Sequence, residues 1–149
     1  MSSKKKTWAE KLAAAKAKMP EAHKFYCKKS KQHFVIPAVE EIDAMMRGVR
    51  KGRVITMKQM TDHFREKHGV DLCCPMTAGI FAWIIAHAAD EAEQAGAKRV
   101  VPWWRTLKSG GELNPKYPGK GDIQRARLEA EGHRVIQKGK KLIVDDHIK

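Results

Sequence analysis

Three groups of side chains in this 149-residue chain have the types that chemistry needs. The first is the run Val101-Pro102-Trp103-Trp104-Arg105, in which two adjacent indoles precede a guanidinium. An indole offers only an N–H donor and does not titrate at physiological pH. Neither ring can serve as nucleophile or base, and core packing at a strand end is the plain alternative to a binding role. The second group is Cys27, Cys73 and Cys74. An odd number with two adjacent residues does not read as a disulfide framework or a zinc site. Cys74 stands just before a predicted helix, where the helix N-terminus lowers a thiol pKa and favours nucleophilic chemistry. A buried structural cysteine is the competing reading. The third group is His63 and His68, five apart on a helix, which do not share a face as i, i+4 metal ligands do. No metal, cofactor or catalytic residue is predicted.

Charge narrows the partner. Thirty basic against seventeen acidic residues give a net +13. Residues 1–34 carry ten Lys and two Glu, a net of +8, and residues 35–149 carry the remaining +5. Such a basic surface favours polyanions, nucleic acid first and anionic membrane second. Ser2-Ser3-Lys4-Lys5-Lys6 is followed by no apolar stretch, so it does not read as a secretory signal. No run of about 18 apolar residues predicts a membrane span, and unpaired cysteines suit a reducing, cytoplasmic compartment.

The elements that must position these residues read as follows. Thr7 and Glu10 form a capping box that opens a helix to Met19, and Pro20 ends it. Its apolar stripe of Trp8, Leu12 and Ala15 is thin, and residues 20–34 are Lys-rich, so residues 1–34 read as a basic arm and linker before a domain over 35–149. Such an arm is either a solvated tail or a DNA contact. Val39, Ile42, Met45 and Met46 recur at helical spacing, giving a helix over 37–48. Val54-Ile55 reads as a short strand, and Thr56 with Gln59 caps a second helix that Gly69 stops. Pro75 opens a third helix that runs to about Gln94. Its first half is apolar nearly all round and its end is acidic. Val100-Val101 reads as a strand, 109–111 as a turn, Asn114 to Lys120 as an irregular loop and Gly121 to Glu131 as a fourth helix. Val135-Ile136 and Leu142-Ile143-Val144 flank Lys138-Gly139-Lys140 as a terminal hairpin. The fold class is mainly α with small β elements, of the winged helix-turn-helix DNA-binding type.

In this order the residues resemble a known family. Gly52-Arg53-Val54-Ile55-Thr56 is similar to the segment opening the helix-turn-helix of alkylguanine-DNA alkyltransferases, the methylated-DNA–protein cysteine methyltransferases. Thr77-Ala78-Gly79 falls where their recognition helix carries small residues, and Pro102-Trp103-Trp104-Arg105 falls on their Pro-Cys-His-Arg. Gly110-Gly111, Tyr117, Gly119 and Leu128-Glu129-Ala130-Glu131-Gly132 follow in register apart from a one-residue insertion before Tyr117. The likeness covers roughly residues 35–133. Trp103 in place of the acceptor thiol, and the lack of the family's separate N-terminal domain, make the chain similar to alkyltransferase-like proteins. Those bind alkylated guanine flipped from double-stranded DNA and hand the lesion to excision-repair proteins without transferring the alkyl group.

The resemblance assigns roles residue by residue. It places a base pocket at Trp103, Trp104, Tyr117, Pro118, Glu131 and Met57, with Trp103 as a flat wall for the flipped base. Glu131 falls on the carboxylate that orients the family's histidine, and here it is expected to accept the Trp104 N–H. DNA contacts fall on Met76, Thr77, Ala78, Gly79 and Arg105. Arg47, Arg50, Lys51 and Arg53, clustered before the second helix, can meet phosphates or form a solvated turn, and Lys138, Lys140 and Lys141 on the hairpin suit either a wing touching the backbone or ordinary solubilising charge. Small residues at 77–79 also let a helix pack closely on a neighbour. The chain departs from the family at several contacts. Met76 replaces an intercalating Arg, Met57 a Tyr, Ile85 an Asn, and Pro118 a Ser, which removes an N–H donor. An apolar Met76 can still unstack bases. Three functions remain open: a non-enzymatic lesion sensor, an alkyltransferase using another thiol, and a general nucleic-acid-binding module.

Overall fold

The computed structural model describes residues 7–145, so the lysines at 4–6 and the last four residues lie outside it. Among the described residues, five α-helices are joined by small β elements. Helix α1 spans Trp8–Lys18, α2 Val39–Arg47, α3 Met57–His68, α4 Pro75–Gln94 and α5 Asp122–Ala130. Strands β1 (His23–Cys27), β2 (Gln32–Ile36) and β4 (Leu72–Cys73) form one sheet in the order β1-β2-β4, antiparallel then parallel. Strand β3 (Ile55–Thr56) pairs in parallel with β5 (Thr106–Leu107), and β6 (Val135–Lys138) pairs with β7 (Lys141–Val144) as a hairpin.

Local signals set most helix ends. Thr7 and Glu10 exchange their capping bonds, as do Thr56 and Gln59, so two N-terminal donors are satisfied at each helix start. Gly69 ends α3 with φ 64°, a conformation that only glycine takes at little cost. Helix α4 starts on Pro75, whose missing N–H has no partner to lose there.

The main core lies between α2, α3 and α4, built on Ile42, Met46, Met60, Phe64, Ala82 and Ile85, with Trp103 buried among them. A second, smaller core holds Leu107, Leu113, Leu128, Val135 and Val144. It ties α5 and the β6–β7 hairpin to the 107–113 segment, and Leu113 N–H donates to the Leu142 carbonyl at 2.8 Å. Trp104 touches both cores.

The structure departs from the sequence reading in four places. Residues 20–34, read as a linker, contain β1 and most of β2. The alternation of Lys24, Tyr26, His33 and Val35 on one face with Phe25 and Phe34 on the other is a period-2 pattern hidden by the surrounding lysines. The proposed boundary after residue 34 therefore falls inside β2. The strand expected at Val100-Val101 is absent; the chain pairs at Thr106–Leu107 instead, because Pro102 has no N–H to give a ladder. Strand β3 is shifted by one residue to Ile55–Thr56, and the two-residue β4 carried too little sequence to announce itself. Finally, α1 is a docked element. Its first two N–H groups, from Trp8 and Ala9, donate to the Glu91 carboxylate at 3.0 and 3.1 Å. A carboxylate at a helix N-terminus is favoured by the unpaired donors and the dipole. The Trp8 ring stacks on His87 with centroids 4.3 Å apart and meets Trp83 edge-on at 4.9 Å. Lys16 reaches the buried Asp43 at 3.1 Å.

Trp8→Ala removes this aromatic anchor while leaving the capping box intact. Because the ring is only partly buried, the expected loss is about 2 kcal/mol, below the range for a core Trp. Urea unfolding followed by far-UV circular dichroism measures it, and an unchanged midpoint would mean that the arm is not docked.

Candidate nucleic-acid interface

The segment after Val101 folds as a single 3-10 turn, Trp103–Arg105. Two buried neighbours before it, Val101 and Pro102, pin its start. The turn sends Trp103 one way and Trp104 and Arg105 another. Trp103 goes inward and is fully buried. Its ring meets Trp104 at 6.0 Å and Tyr117 at 6.1 Å, both nearly perpendicular, the edge-to-face arrangement that aromatic quadrupoles favour. The Trp103 Nε1–H has no hydrogen-bond partner among the described residues. A buried unpaired donor costs on the order of 1–3 kcal/mol.

Trp104 and Arg105 converge on Glu131, at the end of α5. Trp104 Nε1–H donates to Glu131 Oε2 at 3.1 Å, the bond the sequence reading expects. Arg105 adds a bidentate pair to the same carboxylate, at 2.9 and 2.7 Å, and donates through its other terminal nitrogen to the Val49 carbonyl at 2.7 Å. Burial raises the Glu131 carboxyl, but the Arg105 and Trp104 hydrogen bonds and the nearby charges of Arg105 and His133 outweigh it. The pKa is held below its ordinary value. Arg127 lies over the Trp104 ring at 4.5 Å and is itself paired with Glu93 of α4.

The remaining predicted residues separate into three places. Tyr117 and Pro118 are buried, and burial pushes the Tyr117 hydroxyl pKa up. Met57 packs against the main core. Arg47 binds Asp43 at 3.2 Å, and Arg50, Lys51 and Arg53 are exposed around the turn that leads into β3. Met76 and Gly79 lie on α4 with Ala78 buried behind them, and Thr77 Oγ1 sits 3.2 Å from the Cys74 sulfur. Cys74 is the residue before α4, as expected. The Cys73 thiol is driven by burial, then by Cys74 and Glu41, up to about 12, so it stays protonated at neutral pH. No cluster of three or more metal-ligating side chains occurs among the described residues.

The open surface lies beside the predicted pocket. A groove of about 600 Å³ runs along the first turns of α4, lined by Met76, Gly79, Ile80 and Trp83 on one wall and Lys108, Asn114, Pro115 and Lys116 on the other. Trp103 and Tyr117 do not line it. Gly79 presents no side chain there, and a Cβ at this position would meet nothing within 4 Å. Met76 is 74% exposed at one end.

The second wall is held by residues that the sequence reading passed over. Gln124, fully buried on α5, accepts the Asn114 N–H at 3.0 Å and donates to the carbonyls of Trp104 and Thr106 at 3.1 Å each. Asn114 Oδ1 in turn accepts the Lys116 N–H at 2.9 Å. From α4, Trp83 Nε1–H and His87 Nε2–H both donate to the Lys116 carbonyl, at 3.1 and 2.8 Å. One signal was available in the sequence: Gln124 stands four residues before Leu128 and so shares its buried face.

No protein-family model matches the chain, and no curated protein is similar to it in sequence. Among solved structures, it is similar to S. pombe Atl1, seen in complex with damaged DNA containing O6-carboxymethylguanine. The identity is 19% over 71% of this chain and 85% of that one, with a TM-score of 0.46.

Glu131→Gln keeps the shape and removes the charge opposite Arg105. Breaking one side of a buried pair costs about 3 kcal/mol. The folded-state pKa of Glu131 lies below its ordinary value of 4.5, so its contribution is fully present above that pH and is lost as pH falls through the folded value. The variant is therefore less stable at neutral pH, and its stability falls less steeply than wild type on acidification below about pH 4.5. Urea titrations from neutral pH into this acid range measure both.

Proposed function

We propose that this chain is a non-enzymatic DNA-binding protein of the alkyltransferase-like type, with duplex DNA meeting the first turns of α4. The observation that carries this reading is the groove beside α4: an apolar floor of Met76, Ile80 and Trp83, open at Gly79, with Lys108 and Lys116 on its far wall. Lysines there meet phosphates, which position the duplex and make binding salt-dependent. Met76 is exposed enough to enter the base stack as an apolar wedge. The displaced base then has an apolar groove beside the wedge, and an alkylated guanine buries its added carbons there more favourably than guanine does. In this reading α3 and α4 act as a helix-turn-helix and β6–β7 as its wing, with Lys138, Lys140 and Lys141 exposed on that hairpin.

The chemistry of the site supports binding without transfer. Trp103 stands where the resemblance places the acceptor thiol and offers no nucleophile. Cys73 is held protonated, and neither Cys73 nor Cys74 lines the groove. Bound lesion is then a signal for a separate excision-repair activity. A general nucleic-acid module is the second reading, favoured by the apolar side of the groove: Met76 and Ile80 offer no hydrogen bond to a base edge, and the Trp83 N–H is engaged by the Lys116 carbonyl.

Fluorescence anisotropy with paired duplexes, one carrying guanine and one O6-alkylguanine at fixed salt, tests this. Tighter binding to the alkylated duplex, about tenfold weakening by Met76→Ala and an unchanged intact mass after incubation are expected. The tenfold figure corresponds to roughly 1.4 kcal/mol. Equal affinities would leave only the general module, an alkyl adduct would make the protein a transferase, and no binding to either duplex would remove DNA as the partner.

A further inference from the structure

The β1-β2-β4 sheet has a face that the main core uses only at Ile36, at the end of β2. Val35 and Cys73 point into the main core. Strand alternation then sends Phe25, Phe34 and Leu72 to the opposite face. These three are in register across the sheet, Phe25 opposite Phe34 and Phe34 opposite Leu72, so they form one row over all three strands. Phe25 is 38% and Leu72 37% exposed. The rings are ordered: Phe25 is nearly parallel to Phe34 at 5.4 Å, and His23 continues the column at 5.6 Å. Tyr26, half exposed, packs on His33 across the other face. Beyond the row, the turn between β1 and β2 carries Lys28, Lys29 and Lys31, all exposed and in no ion pair among the described residues. Lys31 takes a left-handed conformation at φ 57°, which tightens that turn.

The platform is fixed relative to α4. His33 N–H donates to the Asp71 carboxylate at 2.8 Å, and Cys74 N–H, the last before α4, donates to the Val35 carbonyl at 3.0 Å. An ordered aromatic row beside unpaired lysines matches the requirements of an unpaired nucleic-acid strand. Bases have apolar faces that stack on rings, and phosphates follow the cations. A duplex hides those base faces and fits the row poorly. An apolar protein partner has no use for three lysines at the edge, and a membrane surface would not need a ring column.

We propose that this outer face is a stacking site for unpaired DNA, distinct from the α4 groove and independent of the reading given to that groove. Phe25, Phe34 and Leu72 offer no side-chain donor or acceptor to a 2′-hydroxyl, the group by which a protein selects RNA, so the row suits DNA. Anisotropy with a short labelled oligothymidylate, the matching oligouridylate and an intact unmodified duplex, at low salt and for the oligothymidylate also across a salt series, compares wild type with three variants. Phe25→Leu keeps an apolar strand residue but removes the ring. The triple change Lys28→Gln, Lys29→Gln and Lys31→Gln leaves the row intact. Phe25→Leu is expected to weaken oligothymidylate binding about tenfold while duplex affinity stays within about twofold. The triple variant is expected to flatten the salt dependence by about two units of the log–log slope, at about 0.7 per single-strand phosphate. Met76→Ala should give the converse, weaker duplex binding with oligothymidylate unaffected, so failure of one site is read separately from failure of the other. Far-UV circular dichroism confirms that each variant is folded. Oligothymidylate binding that is unchanged in both Phe25→Leu and the lysine variant would overturn the proposal, and so would oligouridylate binding as tightly as oligothymidylate or tighter.

Discussion

The Glu131 carboxylate is the point where the second half of the fold is locked. It receives two N–H groups from Arg105 and one from Trp104, so both oxygens are satisfied. The guanidinium uses its remaining terminal nitrogen on the Val49 carbonyl. One buried pair thus joins the end of α5, the 3-10 turn and the connection after α2. Desolvating two charges is expensive unless their hydrogen-bonding capacity is filled, and here it is. The rest follows by geometry. With Trp104 and Arg105 held outward on α5, the turn leaves Trp103 only the inward direction, beneath α4, and the chain continues as β5 beside β3.

Burial of Trp103 moves the accessible surface. A ring with no exposed face does not stack with a ligand in this structure, whatever its position in the sequence suggests. The opening lies one layer out, between α4 and the 114–116 segment. That segment has little apolar burial of its own, so its position depends on polar ties. Gln124 holds it from below and the Trp83 and His87 N–H groups hold it from α4. Helix α1 closes the arrangement, because Trp8 covers the His87 ring that makes one of those bonds. A basic arm that looks like a tail in the sequence therefore supports a wall of the groove.

Much of the helical frame was legible in the sequence because its signals are local. The Thr56–Gln59 capping box, Gly69, Pro75 and the Lys138-Gly139-Lys140 turn each specify a boundary within a few residues. The Trp104–Glu131 bond was legible for another reason: the order of motifs put an indole donor and a carboxylate at matching positions. What escaped depends on contacts distant in sequence. Strands β1 and β2 are short, and the alternation that marks them is interrupted by lysines. The pairing of β2 with β4 is what fixes them. Gln124 reads as an ordinary polar helix residue until its three backbone partners, 10 to 20 residues away, are seen. The depth of Trp103 is likewise a property of α4 packing and not of its neighbours in the chain.

The net charge of +13 is a weaker guide to the interface than the distribution of cations that remain unspent. Arg105 was expected to meet DNA, yet its nitrogens are engaged within the protein, and the side chain is only 13% exposed. Arg127 is divided between Glu93 and the Trp104 ring, Lys16 between Glu40 and Asp43, and Lys67 serves Glu41. These cations hold helices together, and moving them onto phosphates would weaken the pairing of the buried Asp43 and the half-buried Glu41 and Glu93. Lys108 is different: its side chain is exposed and its Glu112 partner is 3.8 Å away, so turning it toward a phosphate costs little. Lys116 flanks the same groove, and Lys28, Lys29 and Lys31 cluster at the hairpin turn. The cations left free for a polyanion are therefore concentrated where exposed lysines border apolar or aromatic surface, a combination suited to holding a backbone and its bases at once.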